Sequence, residues 1–159
     1  MKLAEGRMGR MIAVRLAPGE DVLLGLEQAC RDANIQHGAI VSCIGSLNGA
    51  SFLNPVPLPH KKAGYGYSNP IQLHGPIELL QASGMICLGE QGETLLHVHC
   101  SFSDQEGKGY GGHLIEGNKV LLTVDAVIGE LDGIHMGRRY DPELEVLIFN
   151  PETKQKGME

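Results

Sequence analysis

Histidines are concentrated in one stretch of the chain, Leu95 to Gly117, which reads LLHVHCSFSDQEGKGYGGHLIEG. Its first eight residues are rich in branched and aromatic side chains and predict a β-strand. Side chains two apart in a strand share a face, so His97 and His99 should stand side by side, roughly 6–7 Å apart at their α-carbons. His113 begins the next strand-like run after a polar, glycine-rich turn. We therefore expect the three imidazoles to converge on one point.

Converging neutral imidazoles with an open fourth position are a ligand set that suits zinc or another divalent metal. The open position would take water or a small anionic ligand. Cys100 alternates with the histidines and should face away from them, so a cysteine ligand is not expected. The alternative is a polar, hydrogen-bonded histidine cluster at a subunit interface.

The same stretch resembles the signature of the PPC (plants and prokaryotes conserved) domain, which runs L-H-x-H, a short acidic loop and G-G-H-L-x-x-G. Residues 96–120, LHVHCSFSDQEGKGYGGHLIEGNKV, carry this pattern. Further segments match in order: LAPGEDVLLGLEQAC (16–30), IVSCIGSLNGASF (40–52), GPIELLQASG (75–84) and TVDAVIGEL (123–131). The resemblance covers about residues 10–150. It implies a homotrimer, and it implies DNA binding only by analogy with plant members that carry AT-hooks.

The resemblance also suggests roles for residues near the histidines. Glu78 fits the acidic position of the G-x-x-E block, and we consider it for proton transfer. Gly111 and Gly112 should let the backbone approach the site closely. Asp125 stands where the pattern usually has glutamate, within an apolar run that predicts a strand buried on both faces. It would either orient a histidine ligand or bond to backbone across the sheet.

Hydrophobic patterning supplies the elements that would position these groups. Residues 10–16 predict a strand, residues 20–33 predict an amphipathic helix ended by Asn34, and six or seven strands follow. The segment 54–69 is rich in proline and glycine and is either a flap carrying His60, Tyr65 and Tyr67 or an exposed excursion. The order predicts an α+β fold with a largely antiparallel β-sheet and one main packed α-helix. One helix cannot cover both sheet faces, which favours oligomerisation.

Length and composition limit the class of protein. A chain of 159 residues predicts a single domain, 10–150, with a polar leader (1–9) and a flexible tail (151–159). Four cysteines without C-x-x-C spacing indicate reduced, buried thiols in a cytoplasmic protein. No signal peptide or membrane span is expected. The net charge of −6 disfavours nucleic acid as a partner.

Two other functions stay open from the sequence. The first is DNA binding or transcriptional regulation, although the leader GRMGR (6–10) lacks the R-G-R-P core of an AT-hook. The second is a cupin-like small-molecule site, with Asp104 at the acidic position after the two histidines. A two-sheet barrel would favour the cupin hypothesis, whereas a single sheet with one helix would not. The sequence leaves open whether the protein is an enzyme.

Overall fold

The computed structural model describes residues 1–154. Within them lie one α-helix and ten β-strands. In chain order they are β1 (Arg7–Leu16), α1 (Val22–Asp32), β2 (Gly38–Leu53), β3 (Pro55–Pro57), β4 (Tyr65–Tyr67), β5 (Ile71–Leu88), β6 (Thr94–Ser103), β7 (Gly109–Leu114), β8 (Val120–Asp132), β9 (Ile134–Asp141) and β10 (Val146–Thr153).

Helix α1 is short and lies with its apolar side on the core. Val22, Leu26 and Cys30 recur at four-residue spacing and are all buried. Asp21 caps the helix, because its Oδ1 accepts the amides of Leu23 and Leu24. No helix within residues 1–154 combines the length and apolar character that a membrane span requires.

Eight strands form one sheet in the order β1-β8-β2-β7-β6-β5-β9-β10. An additional pairing of β2 with β5 closes β2, β5, β6 and β7 into a ring. All pairs are antiparallel except one, in which Leu88 of β5 meets Gly137 of β9. The expectation of a largely antiparallel sheet with one helix is confirmed as a mixed, mostly antiparallel sheet with a single short helix. Strands β3 and β4 form a separate hairpin.

The sheet has one buried face and one face without a covering layer. Buried residues such as Val98, Ile86 and Val124 belong to one hydrophobic core that also contains the apolar side of α1. The opposite face, here called the outer face, includes Ile44, Met85, Val127, His97 and His99, which alternate with core residues along their strands. Strand β8 is therefore not buried on both faces, contrary to the prediction. A covering partner is needed if the apolar part of this face is to leave water.

Parts of the predicted leader and tail are paired in the sheet or contact the last hairpin. Strand β1 already begins at Arg7, inside the segment expected as a leader. Strand β10 continues to Thr153, so residues 151–153 of the expected tail are paired with β9. Lys2 donates to the Asn150 side chain, and the Glu5 amide donates to Thr153 Oγ1. Residues 155–159 of the tail lie outside the described part of the chain.

His37 is a buried titratable group of the fold. It is 4% exposed, and its Nδ1 accepts the backbone amide of Met136 at 3.1 Å. Burial, and then the nearby His135 ring at 4.8 Å, lowers the pKa of His37 to about 4. Between pH 6.5 and pH 4 the unfolded chain therefore binds a proton here that the native state excludes. Stability is complete at neutral pH and declines as the pH falls through this window.

We predict that a His37→Gln variant loses less stability on acidification than the wild-type protein. A neutral amide removes the protonation difference, which is worth about 2 kcal/mol at pH 5. Urea unfolding at pH 7 and pH 5, at one protein concentration, measures the difference. The control His60→Gln alters an exposed histidine and should keep the wild-type pH dependence. An unchanged pH dependence in His37→Gln would contradict the assignment.

Candidate metal centre

The three histidines of the predicted site form one cluster. His99 of β6 lies directly opposite His113 of β7, and His97 precedes it by two residues on the same face. The ring centroids are 5.0 Å apart for His97 and His99, 5.0 Å for His97 and His113, and 5.5 Å for His99 and His113. One ligand nitrogen from each ring lies within 4.8 Å of the others. Small side-chain movements would bring these nitrogens to zinc-binding distance.

Strand alternation explains why these side chains are available. Val98 and Cys100 of β6 are buried in the core, so the histidines between them face outward. Across β5, His97 is opposite Met85 and His99 is opposite Ser83. A cleft of about 370 Å³ is lined by Ala39, Ile40, Ser83, Gly84, Met85, His97 and His99. Cys100 points away, as expected.

Two imidazole nitrogens of the cluster are buried without a partner. Neither His97 Nε2 nor His113 Nδ1 has a hydrogen-bond partner among residues 1–154. A buried polar atom that makes no bond costs about 1–3 kcal/mol, so such atoms are uncommon in folded proteins. A bound cation would use both lone pairs. The donor set therefore fits a divalent metal that prefers imidazole.

Two imidazoles of the cluster have lowered pKa values. Burial, then the positive charge of Arg138, lowers the pKa of His97 to about 4. Burial, followed by His99 and Arg138, also lowers the pKa of His113. Both rings are therefore neutral at pH 7, and a neutral imidazole is the form that binds metal.

The segment 54–69 reaches over the cluster as a flap. It contains the β3–β4 hairpin, and the Tyr67 ring lies with its centroid 5.2 Å from that of His113. Lys62 Nζ lies 2.6 Å from Glu143 in the turn between β9 and β10, which joins the flap to the last hairpin. Of the two interpretations of this segment, the flap agrees with these contacts. His60 is exposed and has no described contact with the cluster.

Gly111 and Gly112 permit a close approach of strands. A Cβ at Gly111 would lie 2.7 Å from the Cys100 carbonyl oxygen, and one at Gly112 would lie 2.6 Å from the Leu53 carbonyl oxygen. The glycines thus let β7 fit between β6 and β2, and the adjacent His113 follows from that placement. The two glycines thus bring β7 close to the backbone of its neighbouring strands, and they affect the cluster only by fixing the position of β7.

The structure does not bring Glu78 to the histidines. Glu78 is exposed and lies opposite Ser103, four residues along β6 from His99. At the rise of a β-strand this is a separation of roughly 13 Å. Within one chain it is too distant to transfer a proton directly to a ligand at the cluster. The G-x-x-E pattern correctly marks an acidic residue on β5, but Glu78 lies too far along that strand to reach the histidines.

Asp125 has neither of its expected roles within the chain. It is half-exposed on the outer face, and its Oδ1 lies 2.8 Å from Arg15 Nε of β1. No contact with a histidine of the cluster is found among the described residues. Within one chain the Asp125 carboxylate is not buried, because the core covers β8 on one face only.

Asp104 shapes the turn between β6 and β7. Its Oδ1 accepts the amides of Glu106 and Lys108, and its Oδ2 accepts the Tyr110 hydroxyl. These bonds, led by the amide of Lys108, lower the pKa of Asp104. Both carboxylate oxygens of Asp104 are bonded within the turn, and Asp104 is not part of the histidine cluster. A single main sheet with one helix also disagrees with the two-sheet barrel of that hypothesis.

Arg138 is the residue near the cluster that sequence reasoning missed. It lies on β9 and contributes to lowering the pKa of both His97 and His113, after burial. In the sequence it is one of two adjacent arginines near the end of the chain. No local pattern links Arg138 to His97 and His113, which lie 41 and 25 residues earlier, because the placement of β9 beside β5 is a long-range pairing.

A family model described as the Plants and Prokaryotes Conserved (PCC) domain matches residues 3–132. Among curated proteins, a bifunctional GlmU protein of Synechococcus sp. strain JA-3-3Ab is 29% identical over 133 residues. The match covers 84% of this chain and 19% of that protein, so the chain spans about a fifth of its relative's length.

Three solved structures share the fold. A PPC protein of Pyrococcus horikoshii is 27% identical with a TM-score of 0.76, and the match covers 98% of this chain and 100% of that one. A metal-containing protein of Archaeoglobus fulgidus is 23% identical with a TM-score of 0.78, covering 94% and 99%. A candidate DNA-binding protein of Ralstonia eutropha JMP134 is 24% identical with a TM-score of 0.71, covering 87% and 89%.

We predict that Tyr67 shields His113 from reagents in solution. In a Tyr67→Ala variant, His113 should react several-fold faster with diethyl pyrocarbonate, which modifies accessible neutral imidazoles. Peptide mass spectrometry of the metal-free protein measures the rate at each histidine. The control Tyr65→Ala removes a more exposed tyrosine of the same strand and should leave the rate unchanged. Equal rates in both variants would show that the flap does not cover the cluster.

Proposed function

Because the chain belongs to the Plants and Prokaryotes Conserved (PCC) domain family, we propose that it is a homotrimeric metal-binding protein with a small-ligand site. His97, His99 and His113 hold zinc or another divalent ion. The fourth position is open to water or to a small anionic ligand. The free, buried cysteines fit the cytoplasmic location that we also propose.

The observation that carries the metal proposal is the pair of buried, unpartnered nitrogens, His97 Nε2 and His113 Nδ1. A polar cluster that served only the fold would satisfy its imidazoles with hydrogen bonds. None is found for these two atoms among residues 1–154, and one nitrogen of each of the three rings lies within 4.8 Å of the others. A structural neighbour described as metal-containing is consistent with this choice.

A divalent ion at such a site would polarise a carbonyl or lower the pKa of a bound water. The residues of the chain supply the surroundings for that chemistry. Tyr67 covers one side of His113, and the outer-face cleft of about 370 Å³ borders His97 and His99. Since Glu78 is remote, we assign it no proton transfer within the chain.

Elemental analysis tests the metal site. Protein purified without a histidine tag and supplied with Zn²⁺ should contain about one ion per chain. The variant His97→Ala/His99→Ala should lose it, because one imidazole alone cannot hold the ion. The control His60→Ala/His74→Ala removes two exposed histidines and should retain it. A metal-free wild-type protein would refute the site.

The outer face supports the proposal of a homotrimer. Ile44 is 49% exposed and Met85 is 41% exposed, although both lie within long central strands. Burying such side chains is worth roughly 25 cal/mol for each Å² removed from water. The histidine cluster lies on the same face, so an assembly that covers the apolar part would also enclose the site. The family resemblance implies three copies.

An Ile44→Glu variant tests the assembly. A carboxylate at the centre of a buried interface is costly, so this variant should be monomeric while the wild-type protein sediments as a trimer. The control Leu144→Glu changes a residue of similar exposure, 48%, in the β9–β10 turn, and should stay trimeric. Sedimentation equilibrium measures the masses. A monomeric wild-type protein, or a trimeric Ile44→Glu variant, would contradict the proposal.

DNA binding is the alternative function. A structural neighbour is described as a candidate DNA-binding protein, but at 24% identity the likeness concerns the fold. The net charge of −6 opposes the phosphate contacts that dominate such binding. We therefore rank it below the metal proposal.

A further inference from the structure

The flap contacts the last hairpin through two adjacent lysines. Lys62 Nζ lies 2.6 Å from Glu143 Oε1, and the Lys62 backbone amide donates to Glu145 Oε2 at 3.0 Å. Lys61 Nζ lies 3.9 Å from the same Glu145 oxygen. These three contacts, here called the latch, join the flap to the turn between β9 and β10. That turn follows residue 132, where the family match ends, so membership of the family assigns it no role.

The turn between β9 and β10 is held by its own hydrogen bonds. Asp141 Oδ1 accepts the backbone amides of Glu143 and Leu144 at 2.9 Å and 3.0 Å. The Glu145 amide donates to the Asp141 carbonyl at 2.8 Å. Because these bonds are local, the turn can present its two glutamates to the flap in a fixed arrangement.

Glu145 has a backbone conformation that favours glycine. Its φ is +55°, in the left-handed region where a Cβ is unfavourable. The backbone alone therefore gives no reason for a glutamate here. Its side chain does give one, because the carboxylate accepts the Lys62 amide and lies near Lys61. A strained residue whose side chain makes such a contact is a candidate for a functional role.

Backbone hydrogen bonds connect the latched end of the flap to Tyr67. The Lys61 amide donates to the Leu58 carbonyl, and the Leu58 amide donates to the Gly64 carbonyl, both at 2.9 Å. Strand β3 then pairs with β4, where Tyr67 lies opposite Pro55. The flap is thus a bonded hairpin, and restraining its lysines also restrains Tyr67.

Tyr67 is the residue through which the flap meets the histidine cluster. Its ring centroid lies 5.2 Å from that of His113. Tyr67 is 44% exposed, so it stands between His113 and solvent. Displacement of the flap would uncover this side of the imidazole. Loops that cover a site in this way control the entry and release of what binds there.

We propose that Glu143 and Glu145 are positioning residues, which hold the flap closed over the histidine cluster and so slow the entry and release of a bound metal ion. The statement about metal exchange rests on the metal site proposed above, whereas the statement about the flap does not. The latch contacts are at the surface, where salt screens ion pairs. The flap should therefore open more readily at high ionic strength.

Reaction of the metal-free protein with diethyl pyrocarbonate measures flap opening at His113. A Glu143→Lys variant should react at least about threefold faster there at low salt, because an ion pair becomes a repulsion. Adding Lys62→Glu restores opposite charges and should return the rate toward that of the wild type. The control Glu90→Lys reverses an exposed glutamate outside the turn and should react like the wild type.

A Glu145→Gly variant separates positioning from stability. It removes the carboxylate from the flap and also relieves the left-handed backbone. His113 should therefore react faster, while the thermal unfolding temperature stays at or above that of the wild type. A residue that served only the turn would not increase the reactivity of His113 without a loss of stability.

Salt provides an opposite response in two proteins. About 1 M NaCl should raise the His113 rate in the wild type, where it screens an attraction, and lower it in Glu143→Lys, where it screens a repulsion. Equal His113 rates in the wild type, Glu143→Lys and Glu145→Gly would overturn the proposal. So would a failure of Lys62→Glu to restore the rate, or an increase confined to variants with a changed sedimentation mass.

Release of Zn²⁺ to an excess of chelator tests the statement about metal exchange. Release should be faster from Glu143→Lys than from the wild type and unchanged in Glu90→Lys. Faster modification of His113 with unchanged Zn²⁺ release would overturn the control of exchange. Failure of the metal site itself is visible separately, as a wild-type protein that holds no Zn²⁺, and the His113 rates then still decide whether the latch holds the flap.

Discussion

The register between β6 and β7 is the constraint on which the site depends. It sets His99 opposite His113, and the two-residue period of β6 adds His97 on the same face. A shift of one residue would turn one strand's side chains to the other face and separate the ligands. The close packing that Gly111 and Gly112 permit, and the Asp104 turn, hold this register at its two ends. Fold and site thus share the same hydrogen bonds.

Burial gives the cluster its chemical character. Desolvation keeps His97 and His113 unprotonated at neutral pH and leaves one nitrogen of each without a partner. Both effects lower the stability of the chain alone, because unsatisfied polar groups in a shielded position are costly. A bound cation would reverse that cost. Binding of such a cation would therefore stabilise the folded protein.

The outer face and the last hairpin add what the sheet core does not supply. The outer face presents exposed apolar side chains such as Ile44, and His97 and His99 line a cleft on the same face. The hairpin reaches the flap through the Lys62–Glu143 pair.

The sequence by itself determined the single helix, most strands and the convergence of three histidines, because these follow from local periodicities and a short turn. It did not determine which carboxylates reach the cluster. Glu78 and Asp125 are both acidic, but Glu78 lies far from the histidines along β5. Asp125 is instead paired with Arg15. Only the tertiary structure placed Tyr67 against His113. Contacts between distant segments depend on sheet order and closure, which no local pattern encodes.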